Sequence, residues 1–130
     1  MAEKVSTIRT IELTHEDGTL EKVNVDLRLN LKKITAISRD YPDANTFATM
    51  AISADEMQLD MIKMYKAVYV AYRMANMDEY YTFDDFADMY EFDMEEATGI
   101  FYSLLSREYR VKYLESISKA TPKGGMKSKL

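Results

Sequence analysis

The only histidine, His15, is the side chain of this sequence whose chemical type best suits a general base near neutral pH. A general base or a zinc site needs partner residues in the same cavity, and the polar segment 15–19 around this histidine has the composition of a surface turn. The sequence has no cysteine, which excludes disulfides, thiolate nucleophiles and cysteine-based metal centres. Its four glycines form no phosphate-binding loop. We therefore expect no catalytic residues, no cofactor and no enzymatic activity.

Carboxylates are concentrated in one part of the sequence. Between Asp78 and Glu96 there are nine acidic residues and no basic one. Counted from Asp84 or Asp88, their spacing does not match the calcium-binding loop of an EF-hand, which also needs a glycine at its sharp turn. We expect no metal site here, and we predict an acidic surface that includes Asp84, Asp85 and Asp88.

The end of the sequence has the opposite charge. From Arg107 to Lys129 there are seven basic residues and two acidic ones. Two interpretations are open: solvated helix faces of opposite sign, or a dipolar surface. A basic stripe beside Tyr109 and Tyr113 could also contact nucleic acid, but the formal net charge of −5 and the absence of a known motif argue against this.

The first 29 residues have the pattern of a β-hairpin. Segment 5–14 is rich in residues that favour strands, and apolar and polar residues alternate over 22–29. The Asp17-Gly18 pair between these segments supplies the positive φ that a tight turn requires. Because an isolated hairpin is only marginally stable, its apolar face must pack on the helices that follow.

Residues 30–120 are predicted to form about five helices. Each predicted helix has a period of apolar residues near 3.6, and several follow a polar residue suited to an N-cap. Those caps are Asn30, Ser53, Thr82 and Asp93. The last helical segment is either one long helix or two helices joined near Ser106.

These patterns predict the α+β class: an N-terminal β-hairpin packed on a mainly α-helical bundle. We expect a single domain over residues 1–120, with the hairpin at 1–29 and the helices at 30–120. Residues 121–130 contain proline, two glycines and three lysines and have little to bury. They are predicted to form a flexible, disordered basic tail or linker.

The longest predicted helix, residues 54–77, has an apolar arc that covers about half of its circumference. Methionine and tyrosine side chains in such an arc suit adaptable contact surfaces. Two interpretations are open: a central helix covered on most sides, or a helix with an exposed surface for a partner. For the second interpretation we select, on geometry, Met57, Met61, Met64, Tyr65, Val68, Tyr69 and Tyr72.

Four segments, 66–76, 81–86, 92–96 and 100–105, resemble the tail assembly chaperones of long-tailed phages and prophages of Gram-positive bacteria. In that family a helix rich in alanine and tyrosine leads to a T-F-x-x-F start of an acidic helix, and a further helix follows. Here that start is the segment Thr82-Phe83-Asp84-Asp85-Phe86. The similarity covers about residues 57–114.

The resemblance implies a non-enzymatic protein that binds the long helical tape measure protein and keeps it soluble until the tail tube assembles around it. It also implies a second, longer product made by translational frameshifting, which could join through 121–130 and contact the tail tube protein. The alternatives are a structural phage tail or head–tail completion protein that forms a homo-oligomer, and a small DNA-associated regulatory protein.

No apolar run in the sequence is long enough to span a bilayer, so we expect no membrane association. We expect a cytoplasmic protein, which for a phage means the host cytoplasm during assembly. Excess apolar helix surface also predicts self-association into dimers or rings.

Overall fold

A computed structural model describes residues 6–52 and 61–120. Over these residues the chain forms a two-stranded antiparallel hairpin followed by six helices that contact one another, which confirms the α+β class. The bounds are β1 Ile8–Thr14, β2 Leu20–Asp26, α1 Leu31–Ile37, α2 Asp43–Ile52, α3 Met61–Ala75, α4 Phe83–Met89, α5 Met94–Leu105 and α6 Arg107–Ala120.

The described residues contain six helices rather than about five because the last helical segment is divided at Ser106. That residue has extended backbone angles, φ −140° and ψ 121°, which end α5. Its hydroxyl then accepts a hydrogen bond of 3.1 Å from the amide of Tyr109 in the first turn of α6. The predicted cap at Ser53, residues 54–60 of the predicted third helix and the predicted tail at 121–130 lie outside the described residues.

The hairpin forms as its sequence predicts. Gly18 has a φ of 88°, which closes the turn between β1 and β2. The register places Ile8 opposite Asp26 at the open end and Thr14 opposite Leu20 at the turn. Its inner face is buried, with β2 packed on α3 and β1 on α4.

Three of the predicted N-caps are confirmed. The side chains of Asn30, Thr82 and Asp93 each accept a hydrogen bond from the amide three residues later, at the starts of α1, α4 and α5. These bonds satisfy amides that have no partner within the helix. The caps therefore fix where the three helices begin.

α3 is the central helix of the fold. Every residue from Ala67 to Met74 is buried, and the helix packs against β2, α1, α2 and α5. Of the two interpretations of its wide apolar arc, the described part of α3 fits a helix covered on most sides. Its first turn differs, because Met61 and Ile62 are exposed.

Candidate functional site

The residues predicted to bind a partner do not form one exposed surface. Met64, Val68, Tyr69 and Tyr72 are core residues, and Tyr65 is partly buried against the core. Met61 is 55 % exposed, while Met57 lies outside the described residues. The reason is that neighbouring elements of the same chain already cover this side of α3.

α3 holds the C-terminal end of α4 through Tyr65. Its hydroxyl donates a hydrogen bond of 2.9 Å to the main-chain carbonyl of Ala87 and lies 3.2 Å from that of Tyr90. Its ring stacks on Phe92 and meets Tyr90 edge-on. The last carbonyls of a helix lack partners within it, so this hydroxyl satisfies a group that would otherwise need water. Burial, with a smaller effect of Asp88, raises the pKa of Tyr65.

Two further tyrosines of α3 hold the segment that leads into α4. The hydroxyl of Tyr69 donates to the carbonyl of Tyr81 at 2.8 Å, and the hydroxyl of Tyr72 accepts from the amide of Tyr81 at 2.7 Å. Phe83 and Phe86 pack edge-on against the ring of Tyr69. Burial raises the pKa of Tyr69 and of Tyr72. These tyrosines therefore bind a helix, but it is α4 of the same chain.

Two of the three predicted acidic residues line one wall of a groove with a volume of about 1030 Å³. Asp85 and Asp88 lie on α4, and the hairpin turn forms the opposite wall. Asp84 is exposed but lies outside the groove. We use the name acidic groove for the five carboxylate residues of its lining, Glu16, Asp17, Asp85, Asp88 and Glu91.

The hairpin turn completes this groove, a contribution that no pattern in the sequence indicates. Glu16 and Asp17 are far from α4 in the sequence, and only the packing of β1 on α4 brings them there. Among the residues that the structure describes, no lysine or arginine forms an ion pair with the five carboxylates. The groove therefore presents negative charge that no lysine or arginine of the described residues neutralises by direct contact.

His15 lies at the edge of the acidic groove and is partly buried. Its Nε2 is 2.7 Å from Oε1 of Glu21, and the hydroxyl of Tyr81 donates to the same oxygen at 2.8 Å. The hydrogen bonds from Tyr81 and His15 lower the pKa of Glu21. These contacts join the hairpin to the segment before α4, and they give His15 a structural role.

A basic cluster lies at the other end of the molecule. Arg28 follows β2 by two residues, α6 begins at Arg107, and Arg110 donates to the carbonyl of Ser103 at 3.3 Å. Burial, together with the charges of Arg107 and Arg28, lowers the pKa of Arg110. The carboxylate of Asp26, at this same end, accepts hydrogen bonds from a threonine hydroxyl and from the amide of Arg28. We call Arg28, Arg107 and Arg110 the basic end.

The chemistry of these two surfaces is that of charge and hydrogen bonding. Within the described ranges, no three histidine or carboxylate side chains lie close enough together to hold a metal ion. None of the helices in those ranges has both the length and the apolar character needed to cross a membrane. The acidic groove suits cationic groups such as guanidinium and ammonium, and the basic end suits carboxylates or phosphates.

No protein-family model matches this chain, and neither a curated protein nor a solved structure matches it significantly.

Proposed function

We propose that this chain is a non-enzymatic tail assembly chaperone, which binds the tape measure protein of a long-tailed phage or prophage and keeps it soluble. One observation carries the proposal: the four segments that resemble the chaperone family form one packed unit. Residues 66–75 lie in α3, segment 81–86 contains the cap and the first residues of α4, and segments 92–96 and 100–105 lie at the start and at the end of α5. α3 packs on α5, and its Tyr69 packs on Phe83 and Phe86 of α4.

The T-F-x-x-F pattern has a defined structural role within that unit. Thr82 caps α4 by accepting a hydrogen bond of 3.2 Å from the amide of Asp85. Phe83 and Phe86 then pack on the ring of Tyr69 in α3. Here the T-F-x-x-F pattern determines how α4 packs on α3. A sequence pattern with such a packing role indicates a shared fold better than the same pattern would on an exposed surface. This supports a relationship with the chaperone family.

The partner would have to bind to surfaces that remain exposed. Met61 and Ile62 in the first turn of α3 are 55 % and 66 % exposed. Adjacent apolar side chains of this kind suit a long amphipathic helix, which is recognised through apolar anchors at helical spacing. We therefore propose the first turn of α3 as a contact for the tape measure protein and retain Met61 from the predicted set.

Co-expression with the tape measure protein of the same phage or prophage tests the proposal. We expect the tape measure protein to become soluble and to elute with this chain in size-exclusion chromatography. The double variant Met61→Asp, Ile62→Asp should reduce the soluble fraction severalfold. Leu31→Asp is a matched control, because Leu31 is also an exposed apolar residue but lies in α1.

A different result would contradict the proposal. If the tape measure protein stays insoluble while this chain alone forms a defined ring or dimer, a structural role in the tail replaces the chaperone role. If solubility is restored but the α3 double variant and the Leu31→Asp control behave alike, the contact through the first turn of α3 is wrong.

A further inference from the structure

The acidic groove and the basic end lie at opposite ends of the β-hairpin. The groove includes the hairpin turn, whereas Arg28 follows the open end of β2. The two strands pair over seven residues each. At about 3.3 Å per residue, these strands separate the two ends by roughly 20 Å.

The direction of α6 places its arginines at the open end of the hairpin. Tyr113 in the middle of α6 accepts a hydrogen bond from Arg9, which pairs with Val25 near the open end of the sheet. Arg9 also forms an ion pair of 3.3 Å with Glu96 at the start of α5. α6 packs along α5. α6 turns back along α5 after the break at Ser106, with the ring of Tyr113 over Gly99, so Arg107 and Arg110 lie toward the C-terminal end of α5 and away from Glu96. The charges of Arg28 and Asp26 act on Arg110, which places these arginines beside the open end of the hairpin.

We propose that copies of this chain associate head to tail, with the basic end of one copy lying in the acidic groove of the next. The two surfaces are complementary in charge, since one has five carboxylates and the other three guanidinium groups. Guanidinium and carboxylate groups form strong, geometrically specific hydrogen bonds. The groove volume of about 1030 Å³ is at the upper end of pockets that hold drug-sized ligands, so it accommodates several arginine side chains.

This contact joins two different surfaces, so it is heterologous. Repetition of such a contact forms a ring if the rotation closes and a filament if it does not. Both surfaces are largely solvated, and exposed ion pairs contribute little individually. The association is therefore expected to be weak, dependent on concentration and sensitive to salt. It does not depend on the tape measure protein.

Light scattering of the full chain alone tests the inference. At low salt the mean mass should rise with concentration above the 15.1 kDa of one chain. It should return to that value near 1 M salt, where the Debye length falls to about 3 Å from about 30 Å at 0.01 M. A monomer at low salt, or an oligomer that persists at high salt, would overturn the inference.

Charge reversal identifies the surfaces. Asp85→Lys with Asp88→Lys changes the groove, and Arg28→Glu with Arg107→Glu changes the basic end; all four residues are exposed. Each double variant alone should be monomeric at low salt. An equimolar mixture should give a 1:1 complex, because the first variant keeps its basic end and the second keeps its groove. If the mixture stays monomeric, the two surfaces do not bind each other.

Two controls separate this contact from general electrostatic effects. The exposed reversal Arg39→Glu lies outside both surfaces and should leave the association unchanged. The triple change Lys123→Gln, Lys127→Gln, Lys129→Gln removes the competing basic segment of the chain. If this triple variant loses the association, lysines 123–129 rather than the basic end occupy the groove. Circular dichroism verifies that each variant is folded.

Discussion

The guanidinium group of Arg73 forms two hydrogen bonds of 2.9 Å with the two carboxylate oxygens of Asp40. Arg73 is only 3 % exposed, and its Cζ lies 3.4 Å from the centroid of the Tyr80 ring. Asp40 lies in the connection between α1 and α2 and is half exposed. The pair therefore neutralises a buried cation of α3 and attaches this connection to the central helix.

Removal of the Asp40 carboxylate should destabilise the fold. In Asp40→Asn the buried guanidinium loses its charged partner, and we expect the free energy of unfolding to fall by about 1–3 kcal/mol. Urea denaturation measures the change. Asp43→Asn is the matched control, because Asp43 pairs with Lys66 at 2.9 Å but both side chains are partly exposed. Its effect should stay below about 1 kcal/mol. Equal effects of the two substitutions would contradict this account of the Arg73–Asp40 pair.

The Arg73–Asp40 pair also makes the free energy of unfolding depend on pH in the acidic range. The hydrogen bond from Arg73 lowers the pKa of Asp40 below its ordinary value of 3.8. The unfolded state therefore takes up a proton before the folded state does as the pH falls. The stabilisation is complete at pH values above the pKa of Asp40 in the unfolded state. It is lost as the pH falls through the pKa of Asp40 in the folded state. The stability difference between the natural chain and Asp40→Asn should be constant from pH 7 to 5 and shrink below about pH 4. A difference that does not shrink as the pH falls below about 4 would contradict the assignment.

The parts of the fold that depend on residues adjacent in the sequence were predictable. Asp17-Gly18 closes the hairpin, and Thr82 and Asp93 start their helices, because each signal is complete within a few positions. The sequence around Ser106 did not decide between one long helix and two helices. The backbone conformation of Ser106 depends on how α6 packs on α5, which is not encoded in the adjacent residues. The arc on α3 was ambiguous for a similar reason, because periodicity reveals an apolar face but not what covers it.

The hydroxyl of Tyr65 should contribute measurably to the docking of α4. Tyr65→Phe keeps the ring but leaves the carbonyl of Ala87 without its 2.9 Å hydrogen bond, so we expect a loss of about 1 kcal/mol. Amide hydrogen exchange in α4 should increase more than exchange in α5. Tyr109→Phe is the control, because the Tyr109 hydroxyl makes no hydrogen bond to the described residues. An unchanged exchange rate in α4 would show that ring packing alone holds it.

Gly99 permits the close approach of α6 to α5. A Cβ atom at this position would overlap the ring of Tyr113, which packs directly over the glycine. Alanine in place of glycine normally stabilises a helix by about 1 kcal/mol. Here we expect Gly99→Ala to destabilise the protein by about 1–3 kcal/mol, because the ring must move. Thermal denaturation measures the effect, and Tyr113→Leu in the same chain should recover part of it. A stabilised Gly99→Ala variant would contradict this packing.

The candidate site was only partly predictable because its residues are distant in the sequence. Asp85 and Asp88 were identified from the acidic run, but Glu16 and Asp17 reach the groove only through the hairpin turn. The basic run of the sequence likewise identified Arg107 and Arg110 of α6. It did not include Arg28, which follows β2 and is distant from them in the sequence. For the tyrosines of α3, their types and spacing left open whether they lie in the core of the fold or on a surface for a partner. In the structure these tyrosines pack against α4 of the same chain, and sequence periodicity alone does not identify that neighbour.

The most direct test of the chaperone proposal is the aggregation of the tape measure protein when it is diluted from denaturant. The proposal predicts that this chain suppresses the light scattering in a saturable, stoichiometric manner and remains in a soluble complex. The α3 double variant Met61→Asp, Ile62→Asp should suppress it less than Leu31→Asp does. Unchanged aggregation at a severalfold excess of the folded natural chain would contradict the proposal.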